Sequence, residues 1–146
     1  MQVTSSETFS VVETGATTDW SEAQFEMPRG GMVPGKQFLQ ERLGLTGMEI
    51  SFGAMPPGGG MPFLHRHRKN EELYVFLSGT GQFQVDGNVF DVRQGTAVRV
   101  SPAGRRAYRN TGAEPLVVIV VQAPAFTNAA ATVTDGEGVH EQLVWP

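Results

Sequence analysis

His65 and His67 stand two residues apart, and Glu71 and Glu72 follow shortly after them. On an extended chain, residues two apart point to the same face, so both imidazoles would aim the same way. Arg68 to Asn70 reads as a short turn that returns the chain, and a carboxylate opening the next strand can then face the same place. Two neutral imidazoles and one carboxylate suit a divalent metal, in the pattern of non-haem iron sites. Other chemistries have less support. Cysteine is absent, so the chain offers no thiol nucleophile, disulfide or zinc finger. His140 lies in the tail with no evident nucleophile nearby, and no Ser-His-Asp arrangement can be argued. Gly58-Gly59-Gly60 lacks the Lys-Ser/Thr and the helix that follow a phosphate loop. Asp135-Gly136-Glu137-Gly138 is too short for a calcium loop and reads as a turn. Met55 and Met61 read as gap-fillers rather than copper ligands.

Short strands must position these residues. Met48, Ile50, Phe52 and Ala54 alternate with Glu49, Ser51 and Gly53, the pattern of a half-buried strand. Pro56 to Gly60 breaks it. Further strands are expected over Glu72 to Leu77, Gln82 to Val85, Val89 to Val92, Thr96 to Val100, Arg106 to Asn110 and Leu116 to Gln122. Asp86-Gly87 between two apolar-bearing runs is a strong hairpin signal, because both turn positions need positive φ. Leu116 to Val121 is apolar on both faces, as expected of a central strand covered on both sides. Strands recur about every ten residues, and no helix of βαβ length separates them. The expected fold is all-β, a sandwich or barrel.

The flanks are harder to read. Phe9 to Val12 suggests a strand and Trp20 to Phe25 one helical turn. Pro28 to Gly35 reads as a loop. Phe38 to Leu45 fits neither period. The working division is an extension over 1–47 packing on the barrel, a barrel core over 48–122 and a tail over 123–146. Within the tail, Leu143, Val144 and Trp145 could dock back or fray.

At 146 residues the chain has the length of one domain. A net charge of −4 argues against general nucleic-acid binding, and the basic residues have no interleaved aromatic platform. The longest apolar run is too short to cross a bilayer. No basic-then-apolar leader opens the sequence, so a cytoplasmic location is the expectation.

The run Gly59…His65-Arg66-His67…Glu72…Gly79 resembles the first motif of the cupin superfamily: glycine, five residues, His-x-His, three or four residues, Glu, six residues, glycine. Glu72 satisfies both flanking spacings and Glu71 only the first, so Glu72 takes the ligand role with Glu71 as the fallback. Gly95…Pro102-Ala103-Gly104…Asn110 resembles the second motif. The resemblance covers about residues 48–122. It implies a single-domain double-stranded β-helix, a jelly-roll-like barrel. It also implies a site for Fe, Mn, Ni or Zn at His65, His67 and Glu72. The second motif should supply a third histidine. Counting back from Asn110 gives Arg106, and counting on from Gly104 gives Ala107, so that ligand is missing.

Arg106 therefore has two readings. It could pair with Glu72 inside the barrel and compete with a metal for the carboxylate. Facing a ligand, it would suit a carboxylate or phosphate. Tyr74 and Phe76 share the face of Glu72, and Tyr74 is a candidate ligand contact. Arg66, Arg68 and Lys69 read as a solvated rim. Arg105 and Arg109 belong to the same basic cluster. Leu73, Val75 and Leu77 form a second apolar face, to be covered by the N-terminal segment or by a partner in a homodimer. Two functions follow from the resemblance. One is a metal-dependent enzyme of oxygenase or isomerase type acting on a small anionic metabolite. The other is a non-catalytic binding or regulatory cupin with a degenerate, metal-free site.

Overall fold

A computed structural model describes residues 1–28, 30–128 and 134–145. Twelve strands follow in chain order: β1 (Val3–Ser5), β2 (Ser10–Val12), β3 (Gln24–Glu26), β4 (Met32–Pro34), β5 (Lys36–Phe38), β6 (Glu49–Met55), β7 (Asn70–Ser78), β8 (Thr80–Val85), β9 (Asn88–Arg93), β10 (Ala97–Val100), β11 (Arg106–Asn110) and β12 (Leu116–Pro124). The helical content is one 3-10 segment, Thr17–Glu22, and one turn of α-helix, α1 (Gln40–Leu43). Two sheets form the barrel. The larger runs β10-β7-β12-β6-β5 and the smaller β11-β8-β9. β1 pairs with β2 and β3 with β4, and every pairing is antiparallel. The all-β barrel expected from the strand spacing is present, in the double-stranded β-helix form that the resemblance implied.

Alternation decides what each strand presents. On β7, Glu72, Tyr74 and Phe76 are buried and face the barrel interior, while Leu73 is exposed. β12 lies between β7 and β6, as its two apolar faces require. Its inward residues Val118 and Val120 join Tyr74, Phe76, Phe83 and Leu116 in the inner core. Phe83 stacks on Tyr108, with ring centroids 6.0 Å apart. The β8–β9 turn has positive φ at both Asp86 (50°) and Gly87 (86°), as the Asp-Gly signal demanded.

The outer face of the larger sheet is covered from the N-terminal side. Trp20 and Leu39 pack against Phe52, Ala54 and Val117, with Leu77 and Ile119 at the edge of the cluster. The Trp20 ring lies 4.3 Å from that of Phe52, and its indole N–H donates to the Thr14 carbonyl at 3.1 Å. The stretch read as a loop from Pro28 to Gly35 instead contains β4. Three-residue strands are too short to show a period, which is why the sequence concealed it.

Gly35 sets the approach of β5 to β6. Its φ is +65°, and a Cβ there would lie 2.2 Å from the Ala54 carbonyl oxygen. Only glycine allows that contact, and the next residue, Lys36, begins β5 on the inner face. At the other end, Leu143, Val144 and Trp145 are exposed rather than docked. Of the tail over 123–146, residues 129–133 and 146 lie outside the described residues.

Covering the outer face is worth a measurable amount. Trp20→Ala should lower unfolding stability by about 3 kcal/mol, read as a lower urea midpoint. An unchanged midpoint would mean that the N-terminal segment does not cover the sheet in solution.

Candidate functional site

The two histidines reach the site from an irregular segment beside β11. His65 and Arg106 exchange both backbone hydrogen bonds, at 3.1 and 2.9 Å, and the His67 N–H donates to the Pro102 carbonyl at 2.9 Å. The segment is thus pinned as a partial extra strand without forming a regular one. The imidazole rings stand nearly perpendicular, with centroids 5.4 Å apart. Both side chains are partly open to solvent.

Glu72 comes from the opposite sheet, where β7 pairs it with Val100 on one side and Gln122 on the other. Its two carboxylate oxygens have different partners. Oε2 accepts hydrogen bonds from the Tyr74 hydroxyl and from Arg106 Nε, the latter at 2.9 Å. Arg106 Nη2 lies 2.7 Å from the same oxygen, close enough for the ion pair but out of line for a hydrogen bond. Oε1 faces His67 and lies 3.1 Å from its Nε2. His65 Nε2 lies 3.8 Å from Oε2. Glu71 points away and pairs with Arg99 at 2.6 Å, so it is Glu72 that enters the barrel.

Arg106 is fully buried, at 0% exposure. Its Nη1 donates to the Gly104 carbonyl at 2.7 Å and lies 3.4 Å from that of Pro102. The guanidinium therefore faces protein acceptors and joins the two sheets. Tyr74 is 2% exposed, and its hydroxyl also ends on Glu72. Arg105 and Arg109 turn outward: Arg105 pairs with Asp86, and Arg109 donates to Gln82.

Burial alone would raise the Glu72 pKa. Hydrogen bonds from Tyr74 and Arg106, with the arginine charge, outweigh it and hold the carboxyl below its ordinary value. For Tyr74, burial first and then the adjacent carboxylate push the phenol far up, so it stays a donor. Burial also raises Tyr108, to about 12. His65 is lowered, chiefly by burial and with help from Arg106, which keeps its imidazole neutral and able to donate a lone pair.

The donor set fits a metal ion on three counts. Among the described residues, His65, His67 and Glu72 offer ligand atoms that lie within 4.8 Å of one another. Ligands about 2.1 Å from a common ion sit roughly 3–4 Å apart, so only small side-chain rotations are needed. His67 Nε2, 3.1 Å from Glu72 Oε1, is buried with no hydrogen-bond partner, which leaves lone-pair or N–H capacity directed at the site.

Sequence reading missed Lys36. It enters the interior from β5, opposite Gly53, and its ammonium lies 5.2 Å from the Phe38 ring centre. Burial lowers its pKa to about 8, although Glu72 and Glu49 pull the other way. The signal was present but short: Lys36 and Phe38 alternate with Gln37 in a strand of three residues.

Likeness to known proteins agrees with this geometry. The cupin-domain family profile matches residues 51–122. A solved cupin protein from Bacteroides fragilis is 35% identical, with a TM-score of 0.69 over 71% of this chain and 88% of that one. The chain belongs to the cupin family. A second solved cupin likeness is to a candidate sugar phosphate isomerase of Acidithiobacillus ferrooxidans, 27% identical with a TM-score of 0.55. It covers 60% of this chain and 57% of that protein. An uncharacterised protein of Methanocaldococcus jannaschii is 29% identical over 75 residues, 51% of this cupin, and the match spans 60% of its own length.

The Glu72–Arg106 pair should govern acid stability of the metal-free cupin. Its pKa is lower folded than unfolded, so its contribution is whole above about 4.5 and is lost as pH falls through the folded value. Glu72→Gln strands the Arg106 charge at every pH and should cost about 3–5 kcal/mol at pH 7. The gap between wild type and variant should narrow as pH drops below 4.5. Urea melts across pH read this directly, and a gap independent of pH would refute the assignment.

Proposed function

We propose that this cupin holds a divalent transition metal (Fe, Mn, Ni or Zn) on His65, His67 and Glu72, and acts on a small anionic metabolite as an oxygenase or isomerase. The observation that carries the reading is the division of labour within the Glu72 carboxylate. Arg106 and Tyr74 both engage Oε2 and leave Oε1 beside His67 Nε2. A bound ion would polarise a coordinated oxygen of the ligand as a Lewis acid. Arg106 then acts on the ligand through Glu72: it fixes the carboxylate rotamer and keeps it ionised. Tyr74 does the same from the strand interior. The half-open histidine edges give a ligand access from solvent. The likeness to the Acidithiobacillus protein adds weight to the isomerase arm and to a phosphorylated substrate.

A second reading rests on the same pair. Arg106 neutralises Glu72 without any ion, so a metal-free barrel that binds small molecules without turning them over is also self-consistent.

Metal analysis of wild type, His65→Ala and Arg106→His, each offered Mn(II), Fe(II), Ni(II) and Zn(II), separates the two. The proposal expects stoichiometric metal in wild type and at least a tenfold loss of affinity in His65→Ala, with Arg106→His binding as tightly or more tightly. Undiminished metal in His65→Ala would move the site elsewhere. No metal in wild type would favour the binding scaffold.

A further inference from the structure

The anionic ligand proposed above needs a cation, and Arg106 is already engaged: Nε and Nη1 donate to Glu72 and to the loop carbonyls, and Nη2 ion-pairs with Glu72. Lys36 is differently placed. On the inner face of the larger sheet, one row runs Lys36, Gly53, Val118 and Phe76, and the next runs Phe38, Ser51, Val120 and Tyr74. Glu72 stands one inward position beyond Tyr74 on β7. Lys36 thus enters the same interior as the candidate ligands, from the edge strand.

Gly53 makes room for it. A Cβ at Gly53 would lie 3.7 Å from Lys36 Cδ, so the lysine stem runs over the bare glycine. The ammonium leans onto the Phe38 ring, toward the row that holds Tyr74. Its charge is felt at Glu72 and at His65. It nevertheless forms no ion pair or hydrogen bond with a described residue. The two carboxylates that influence it are engaged elsewhere. Glu72 is bound by Arg106 and Tyr74, and Glu49 Oε1 accepts from the N–H groups of Leu39 and Gln40 at the start of α1.

Arg106 cancels Glu72 by direct contact, and the histidine imidazoles are neutral when they serve as ligands. Glu49 offsets the Lys36 charge only from a distance, its Oε1 being held by backbone N–H groups, so Lys36 has no contacting counterion among the described residues. A half-buried ammonium with no counterion costs stability. A residue that breaks a local rule in this way marks a functional position. An arriving anion supplies the missing partner, and in a partly dry site a charged hydrogen bond is stronger than in water.

We propose that Lys36 is the anion-recognising residue of this site, and that its ligand carries a phosphate or carboxylate group which the Lys36 ammonium grips while the rest of the molecule faces His65, His67 and Glu72. This deepens the reading above by naming the group the ligand must carry and the residue that reads it. Lysine is a compact point charge on a flexible stem, which suits a tetrahedral phosphate as well as a planar carboxylate. The two sources are separated by the probe.

Inorganic phosphate and acetate are titrated into wild type, Lys36→Met, Lys36→Arg and the surface control Arg93→Gln, each in metal-free and metal-loaded form. Binding is read from the side-chain NMR signals of His65 and His67, and thermal midpoints are recorded without ligand. Wild type should bind one probe at least about tenfold more tightly than Lys36→Met, the worth of one charged hydrogen bond. Lys36→Arg should retain most of that affinity, and Arg93→Gln all of it. The thermal midpoint of Lys36→Met should rise by a few degrees, because methionine removes an unpaired charge and keeps the packing. Equal probe affinity in wild type and Lys36→Met would overturn the assignment, as would a lowered midpoint in Lys36→Met. Failure of both probes to bind wild type, in the metal-free and the metal-loaded form alike, would also overturn it. If the protein takes up no metal, the metal reading fails, yet the metal-free titrations still decide the role of Lys36.

Discussion

The ion pair between Glu72 and Arg106 is the constraint on which the site depends. A carboxylate taken out of water is costly unless its charge is matched and its lone pairs are filled. Here a wholly buried arginine and a buried tyrosine hydroxyl meet that demand on one oxygen. Because the partners crowd onto Oε2, the other oxygen is turned toward His67. A single interaction therefore sets the charge state of Glu72, its rotamer and its free lone pairs.

The same pair ties the sheets together. Glu72 belongs to β7 in the larger sheet and Arg106 to β11 in the smaller one. Arg106 also exchanges backbone hydrogen bonds with His65, so the strand that supplies the cation positions the first histidine. Its side chain ends on the Gly104 carbonyl, within the loop that leads into its own strand. Asn110 closes the other end of β11: its amide donates to the Met55 and Glu114 carbonyls at 2.9 and 2.8 Å. The histidine segment, β11 and β7 thus form one hydrogen-bonded unit, and disturbing any part of it should move the donor atoms.

How much of this was legible depended on the length of each element. The strands from β6 to β12 run four to nine residues and are punctuated by glycine-bearing turns, so a period of two is readable in them. Glu72 and Arg106 could be set facing each other because motif spacing fixed one and the distance to Asn110 fixed the other. The N-terminal elements were opaque for a physical reason. β3, β4 and β5 have three residues each, and their stability comes from packing on β6 and on one another, not from local pattern. Lys36 was lost with them. The two imidazoles lie side by side, but their segment is held by pairing with β11 instead of by a regular strand.

The central claim concerns which oxygen of Glu72 is free. A crystal structure of Mn(II)-loaded protein, with anomalous data collected at the metal edge, addresses it directly. The account predicts one anomalous peak within about 2.3 Å of His65, His67 and Glu72 Oε1, with Arg106 and Tyr74 still on Oε2. A peak that displaces Arg106 from Glu72, or one that lies away from these three residues, would contradict it.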